Sequence, residues 1–196
     1  MTQHFRIGAV AIALLAIPGI AEAHTGHATQ FDGLAAGFIH PFGGLDHLLA
    51  MVAVGLWAAS LGGAARWLVP ASFITLMALG AVGGAYGVTL PAAESLIALS
   101  VITLGVLVAL QVKVPVGAAA AIVALFGLLH GHAHGAEMPA MAQPLGYGLG
   151  FVAATALLHG VGLSLGTVLP RLAPKRAVGM AGGAIALAGV TLALPL

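Results

Sequence analysis

HPFGGLDHLLAMVAVGLWA, residues 40–58, places His40, Asp46 and His47 at the mouth of an apolar run that holds no other ionisable side chain. An ionisable group at the centre of a bilayer costs ~2.5–3.5 kcal/mol on insertion scales, so a trio this close together needs partners or a task. Read as one continuous helix, His40 and His47 fall within about 20° of each other around the axis. Side chains lean toward the amino end of a helix, which turns His47 back toward His40 and sets Met51 a turn deeper on the same stripe. Gly43 and Gly44 leave bare backbone between the two imidazoles, a notch against which a small ion can sit. Asp46 points about 100° away from His47, either to ligate from the flank or to face another helix and hold an imidazole in the right tautomer. A lone histidine at a helix end is commonly a cap or an interfacial residue, but the insertion costs of the trio accumulate and favour a functional reading.

The rest of the chain has the same character. Of 196 residues, 61% are hydrophobic and 6% charged, against about 25% charged in a soluble domain. Six Lys or Arg and five Asp or Glu cannot cover a water-facing surface, so lipid is the solvent for most of the protein. Cysteine is absent, which excludes disulfides, thiolate metal sites and thiol catalysis and leaves nine histidines as the most numerous strong ligands. A net charge of +1 with no basic run argues against nucleic acid as a partner.

Residues 1–23 read as a cleaved signal peptide: Arg6, an apolar run from Ile7 to Ile17, the breakers Pro18 and Gly19, then Ala21-Glu22-Ala23 as an A-x-A site. The competing reading, an uncleaved first span, has to work with a run short of the about 20 residues a span needs. Residues 24–37 then form a periplasmic, histidine-containing segment, and 38–196 a transmembrane domain. Apolar segments at approximately 38–61, 67–86, 94–112, 114–131, 145–169 and 177–195 reach or approach the length that crosses about 30 Å of hydrocarbon. The expected fold is all-α, a polytopic bundle of six transmembrane helices in the bacterial inner membrane, with both mature termini periplasmic. That count sets Arg66, Lys113, Arg171, Lys175 and Arg176, every Lys and Arg beyond the signal, at cytoplasmic turns. Asp32, Glu94 and Glu137 fall outside.

Glycines four apart, at Gly80/Gly84, Gly127/Gly131, Gly146/Gly150, Gly162/Gly166 and Gly179/Gly183, read as packing faces where lipid supplies no hydrophobic drive. The stretch 146–150 is no nucleotide loop, because no strand precedes it and no Lys-Ser/Thr follows. Three helices per half would invert the second half relative to the first, an arrangement common among transporters. A homo-oligomer stays open.

The remaining histidines extend the first motif. In Leu129-His130-Gly131-His132-Ala133-His134-Gly135-Ala136-Glu137, a helix that persists puts His130 and His134 on one face at i, i+4, able to share an ion, and turns His132 elsewhere. Alternatively Gly131 ends the helix, and the segment is an external metal-collecting loop or a polar loop in which His130 complements a helix end. His159, in Leu157-Leu158-His159-Gly160, is the deepest histidine, and a neighbouring helix can satisfy it as well as an ion can. Cleavage after Ala23 would expose His24-Thr25-Gly26-His27, an accessory collector or an inert tail. Potential ligands thus run from the outer tail through the outer half of the bundle to His159 and stop. Capture outside and release inside suit that gradient.

These residues resemble the HupE/UreJ family of bacterial nickel and cobalt permeases. The likeness rests on the H-x5-D-H pattern of His40, Asp46 and His47 within HPFGGLDHLLAMVAVGLWA, and on HGHAHGAEMP at 130–139. It implies a secondary carrier for Ni²⁺ or Co²⁺ serving hydrogenase or urease, with no fixed cofactor, in which His40, Asp46 and His47 are critical for permeation and His130, His134 and Glu137 form a second element. Nitrogen and oxygen ligands also suit Cu²⁺ and Zn²⁺. The rival from another class is an intramembrane zinc-dependent hydrolase, with three of His40, His47, His130, His134 and His159 on the metal and Asp46 or Glu137 as general base. A membrane-bound metal sensor has little cytoplasmic loop to signal through.

Overall fold

The computed structural model describes residues 30–139, 142–172 and 176–194. The expected signal peptide, His24, His27 and Lys175 lie outside the described residues. Within them the chain forms α1 (Gln30–Gly43), α2 (Leu45–Leu61), α3 (Ala65–Ala85), α4 (Ala93–Ala109), α5 (Val116–Ala136), α6 (Pro144–Leu172) and α7 (Ala177–Ala193). Three of these, α3, α5 and α6, are long and apolar enough to cross a bilayer alone. The helices α4 and α7 are apolar but 17 residues each, about 25 Å of rise against about 30 Å of hydrocarbon. Just beyond α4, Gln111 adopts a φ of 50°, which turns the chain out of the helical region earlier than hydropathy suggests.

The first apolar segment departs from expectation. It is two helices bent by 86°, which meet the requirements of a span only as a pair. His40 and His47 therefore do not share a stripe of one helix. The causes are local. Pro41 has no N–H to donate within α1, and Gly44 is extended at φ −106°, ψ 119°. Asp46 then restarts the helix: its Oδ1 accepts from the backbone N–H of His47 at 2.8 Å, and a carboxylate in a first turn complements the positive end of the helix dipole.

Helix packing is glycine-led. A Cβ on Gly80 or Gly84 of α3 would strike the Leu128 or His132 carbonyl of α5, and one on Gly127, Gly131 or Gly135 of α5 would strike the Phe73, Met77 or Ala81 carbonyl of α3. The two helices run parallel in close register. Helix α6 packs in the same chain sense first along α1 and then along α2, through Gly150 against Leu34, Gly37 against Tyr147, Gly162 against Val52 and Gly55 against His159. Helices α4 and α7 are antiparallel, Gly105 meeting Ala186 and Gly182 meeting Ala109. On α7 the packing glycines are thus Gly179, Gly182 and Gly189, while Gly183 has nothing within 4 Å of its missing Cβ.

The two ends of the bundle differ. At one, the Trp57 indole donates to Val112 O at 3.0 Å and Lys113 donates to Ser60 O, which gathers the α4–α5 turn against the end of α2, next to Arg66. Gly179 of α7 approaches Ala109 O there, which brings Arg176 to the same end. The opposite end carries Glu94, Glu137 and the histidine-rich tip of α5. A core of Met51, Leu56, Trp57, Phe73 and Leu104, all fully or almost fully buried, lies between them.

Candidate metal site

Helix α5 continues through Gly131 to Ala136, so His130 and His134 stack one turn apart on its inner face, 0% and 2% exposed. The loop reading of this segment is set aside. His132 points away as expected, and its Nε2 lies 2.6 Å from Val88 O in the α3–α4 turn.

Three further elements bring groups to this face. From α2 comes His47, its ring centroid 4.0 Å from that of His134 and 4.8 Å from that of His130. From α1, redirected by the bend, comes His40, 4.7 Å from His134, with Nε2 3.5 Å from Glu137 Oε2. From α6 come Phe151, 4.0 Å from His134, and Tyr147, 5.8 Å from His40, which wall the cluster on its far side. His40, His134 and Glu137 each present one ligand atom within 4.8 Å of the others. An ion holding nitrogen and oxygen at about 2.0–2.2 Å in tetrahedral geometry keeps its ligands roughly 3.3–3.6 Å apart, so shifts of about 1 Å close the set. The site fits a borderline cation. Its donors are imidazole and carboxylate, and both nitrogens of His134 are buried without a hydrogen-bond partner among the described residues.

Asp46 does not point away from His47 toward another helix as expected. Its Oδ1 lies 2.8 Å from His47 Nδ1, so it holds the imidazole next to it rather than joining His40 and Glu137. His47 Nε2 is left buried and unpartnered. His159 lies apart from the cluster on α6: its Nδ1 is 2.9 Å from Met51 O, and its ring packs edge-on against Phe73 at 5.1 Å. Phe73 also touches His130, at 5.7 Å, and so borders both the cluster and the deeper histidine. Met51, a turn below His47, is fully buried and contributes its carbonyl to His159.

Sequence reading missed Ser100 of α4, whose Oγ is 2.8 Å from His130 Nε2, and the aromatic wall of Phe73, Tyr147 and Phe151. Beside the cluster an apolar cavity of about 340 Å³ opens between α3 and α6, lined by Met77, Ala81, Tyr147 and Phe151, with His134 at its edge.

A bundle of apolar helices with buried imidazoles from α2 and α5, and a half-buried one from α1, at one end defines a multi-pass membrane protein with a histidine-centred polar core. The chain belongs to the HupE/UreJ protein family, which it matches over residues 12–192. It is 51% identical over 182 residues to Protein HupE of Rhizobium leguminosarum bv. viciae, a match that covers 92% of this chain and 94% of that protein. No solved structure matches it.

Proposed function

We propose that the protein is a permease that carries a divalent transition metal ion, Ni²⁺ or else Co²⁺, into the cell through six membrane crossings, α1 and α2 together forming the first. The observation that carries this reading is the convergence of His40, His134 and Glu137 within 4.8 Å, with His47 against His134. Family membership supports transport over the intramembrane hydrolase. The metal is substrate here, with no resident cofactor.

The histidine end of the bundle faces the periplasm and the end with Arg66, Lys113, Arg171 and Arg176 the cytoplasm, as the positive-inside rule requires. An arriving ion exchanges hydration water for His40 and Glu137, then for His134, then for His47 and His130. Neighbouring rings stand 4.0–4.8 Å apart along that path, so an ion changes one ligand at a time. Partly filled sites release as readily as they bind, which a closed tetrahedral cage does not. Past Phe73 the last imidazole is His159. Two charges moving through 100 mV gain about 4.6 kcal/mol, enough for inward accumulation when the cytoplasm is negative. The imported ion would supply hydrogenase or urease maturation.

The test is accumulation of radioactive nickel in metal-starved cells expressing the intact chain, Asp46→Asn, His47→Ala or His134→Ala at equal membrane abundance. Uptake by the intact chain that disappears in the three variants is the expected result. Nickel uptake unchanged in all three would overturn the site assignment, and no uptake by the intact chain, with cobalt uptake present, would move the assignment to cobalt.

A further inference from the structure

Three buried histidines each have one ring nitrogen tied to a built partner and the other left bare. For His47 the partner is the Asp46 carboxylate at 2.8 Å, and for His159 it is the Met51 carbonyl at 2.9 Å. Both partners only accept, so Nδ1 carries the proton in each ring and Nε2 keeps its lone pair. For His130 the partner is the Ser100 hydroxyl, which can donate or accept. A second contact decides between these. Ser100 Oγ also lies 2.6 Å from Ile97 O, which can only accept. A hydroxyl has one proton, so both contacts are hydrogen bonds only when Ser100 donates to Ile97 O and accepts from His130 Nε2–H. The opposite tautomer would bury a His130 Nδ1–H with no acceptor among the described residues. The nitrogens left over, His47 Nε2, His130 Nδ1 and His159 Nε2, are all buried and unpartnered.

We infer that Ser100 is a positioning residue for metal passage: from α4, it fixes His130 in its Nε2–H tautomer and keeps Nδ1 as a lone pair for the ion. Ser100 is fully buried, and its hydrogen bonds go to Ile97 O and His130. Outer partners that hold an imidazole ligand raise its metal affinity 10–100-fold in known sites, on the order of what Ser100 supplies here. The inference rests on the transport reading.

Its test has two parts. The first is nitrogen NMR of the metal-free, histidine-labelled full chain in bilayers, with the His130 signals identified by their loss in His130→Gln. Protonated Nε2 and bare Nδ1 are expected, and the reverse assignment overturns the inference even if Ser100→Ala does not fold. The second compares Ser100→Ala with the intact chain. The variant is expected to show mixed His130 tautomers and a half-saturating nickel concentration raised about tenfold, with the maximal rate kept within about twofold. An unchanged half-saturation, or a fall in maximal rate alone, would mark Ser100 as merely structural. Because the NMR uses no metal, it stands or falls separately from the uptake of the Asp46 and His47 variants, which decides the transport reading.

Discussion

Gly131→Ala tests whether the site depends on the close approach of α3 and α5. The new Cβ would stand 2.6 Å from the carbonyl carbon of Met77 and 2.8 Å from its Cα, with the carbonyl oxygen nearer still. Ordinary contact begins near 3.4 Å, so the helices must part locally by more than the roughly 0.8 Å that the carbonyl carbon alone requires, because the oxygen is nearer. The obstacle is backbone, and no side-chain rotation relieves it. Overpacking of this kind costs about 1–3 kcal/mol. At roughly 2–4 °C per kcal/mol for a chain of this size, the melting point in detergent should fall by roughly 2–12 °C. His130 and His134 flank Gly131 and move with α5, whereas metal sites hold their distances to about ±0.2 Å. Nickel uptake should therefore weaken as well, through a higher half-saturating concentration. Gly83→Ala is the matched control, since its Cβ meets nothing within 4 Å on the other side of α3. Melting and uptake equal to those of Gly83→Ala would refute the argument.

His132→Ala should keep uptake within about twofold of the intact chain, because this imidazole binds Val88 O outside the cluster; a loss as complete as that of His134→Ala would move the site to the other face of α5. Gly44→Ala should abolish uptake as Asp46→Asn does, its Cβ falling 2.7 Å from Asp46 Oδ1 and 2.9 Å from His47 Nδ1, while Gly43→Ala, with open space at its Cβ, should transport normally. The cysteine-free chain also allows a topology test: a membrane-impermeant thiol reagent should label Tyr86→Cys only from the periplasm and Gln111→Cys only from the cytoplasm, and labelling of both from one side would overturn the six crossings.

Helices α3, α5 and α6 are legible because each is a long apolar run whose ends carry turn residues or proline. The break before Leu45 has signals too, Pro41, Gly43-Gly44 and an acidic residue in the next turn, but hydropathy averages across them and favours one segment. On α7 a four-residue glycine spacing alone cannot choose between Gly183 and its neighbour Gly182; the register against α4 does that. The inward stack of His130 and His134 follows from i, i+4 spacing once the helix persists. Ser100 was not legible for a more basic reason. Ser60, Ser72 and Ser100 all bond the carbonyl three residues back in their own helices, an ordinary way for a serine to sit among apolar neighbours. What separates Ser100 is the imidazole opposite it, which belongs to a helix 30 residues further along the chain.

The bend that the sequence reading overlooked also decides how the proposed site is assembled. On one continuous helix, seven residues separate His40 from His47 by about 10.5 Å along the axis, more than twice the spread of ligands around a single ion. A shared stripe would have made two separate stations with a bare gap between them. The 86° bend removes that gap by sending His40 to His134 from one direction while His47 reaches the same ring from another. His134 thereby becomes the common neighbour of both halves of the H-x5-D-H motif, which is the geometry that the proposed one-at-a-time ligand exchange requires. Asp46 serves both ends of this arrangement: one carboxylate oxygen starts the second helix through the His47 backbone N–H and holds the same residue's ring by Nδ1. The polar residues that hydropathy treats as a cost of insertion are those that make the break, and the break is what lets them meet.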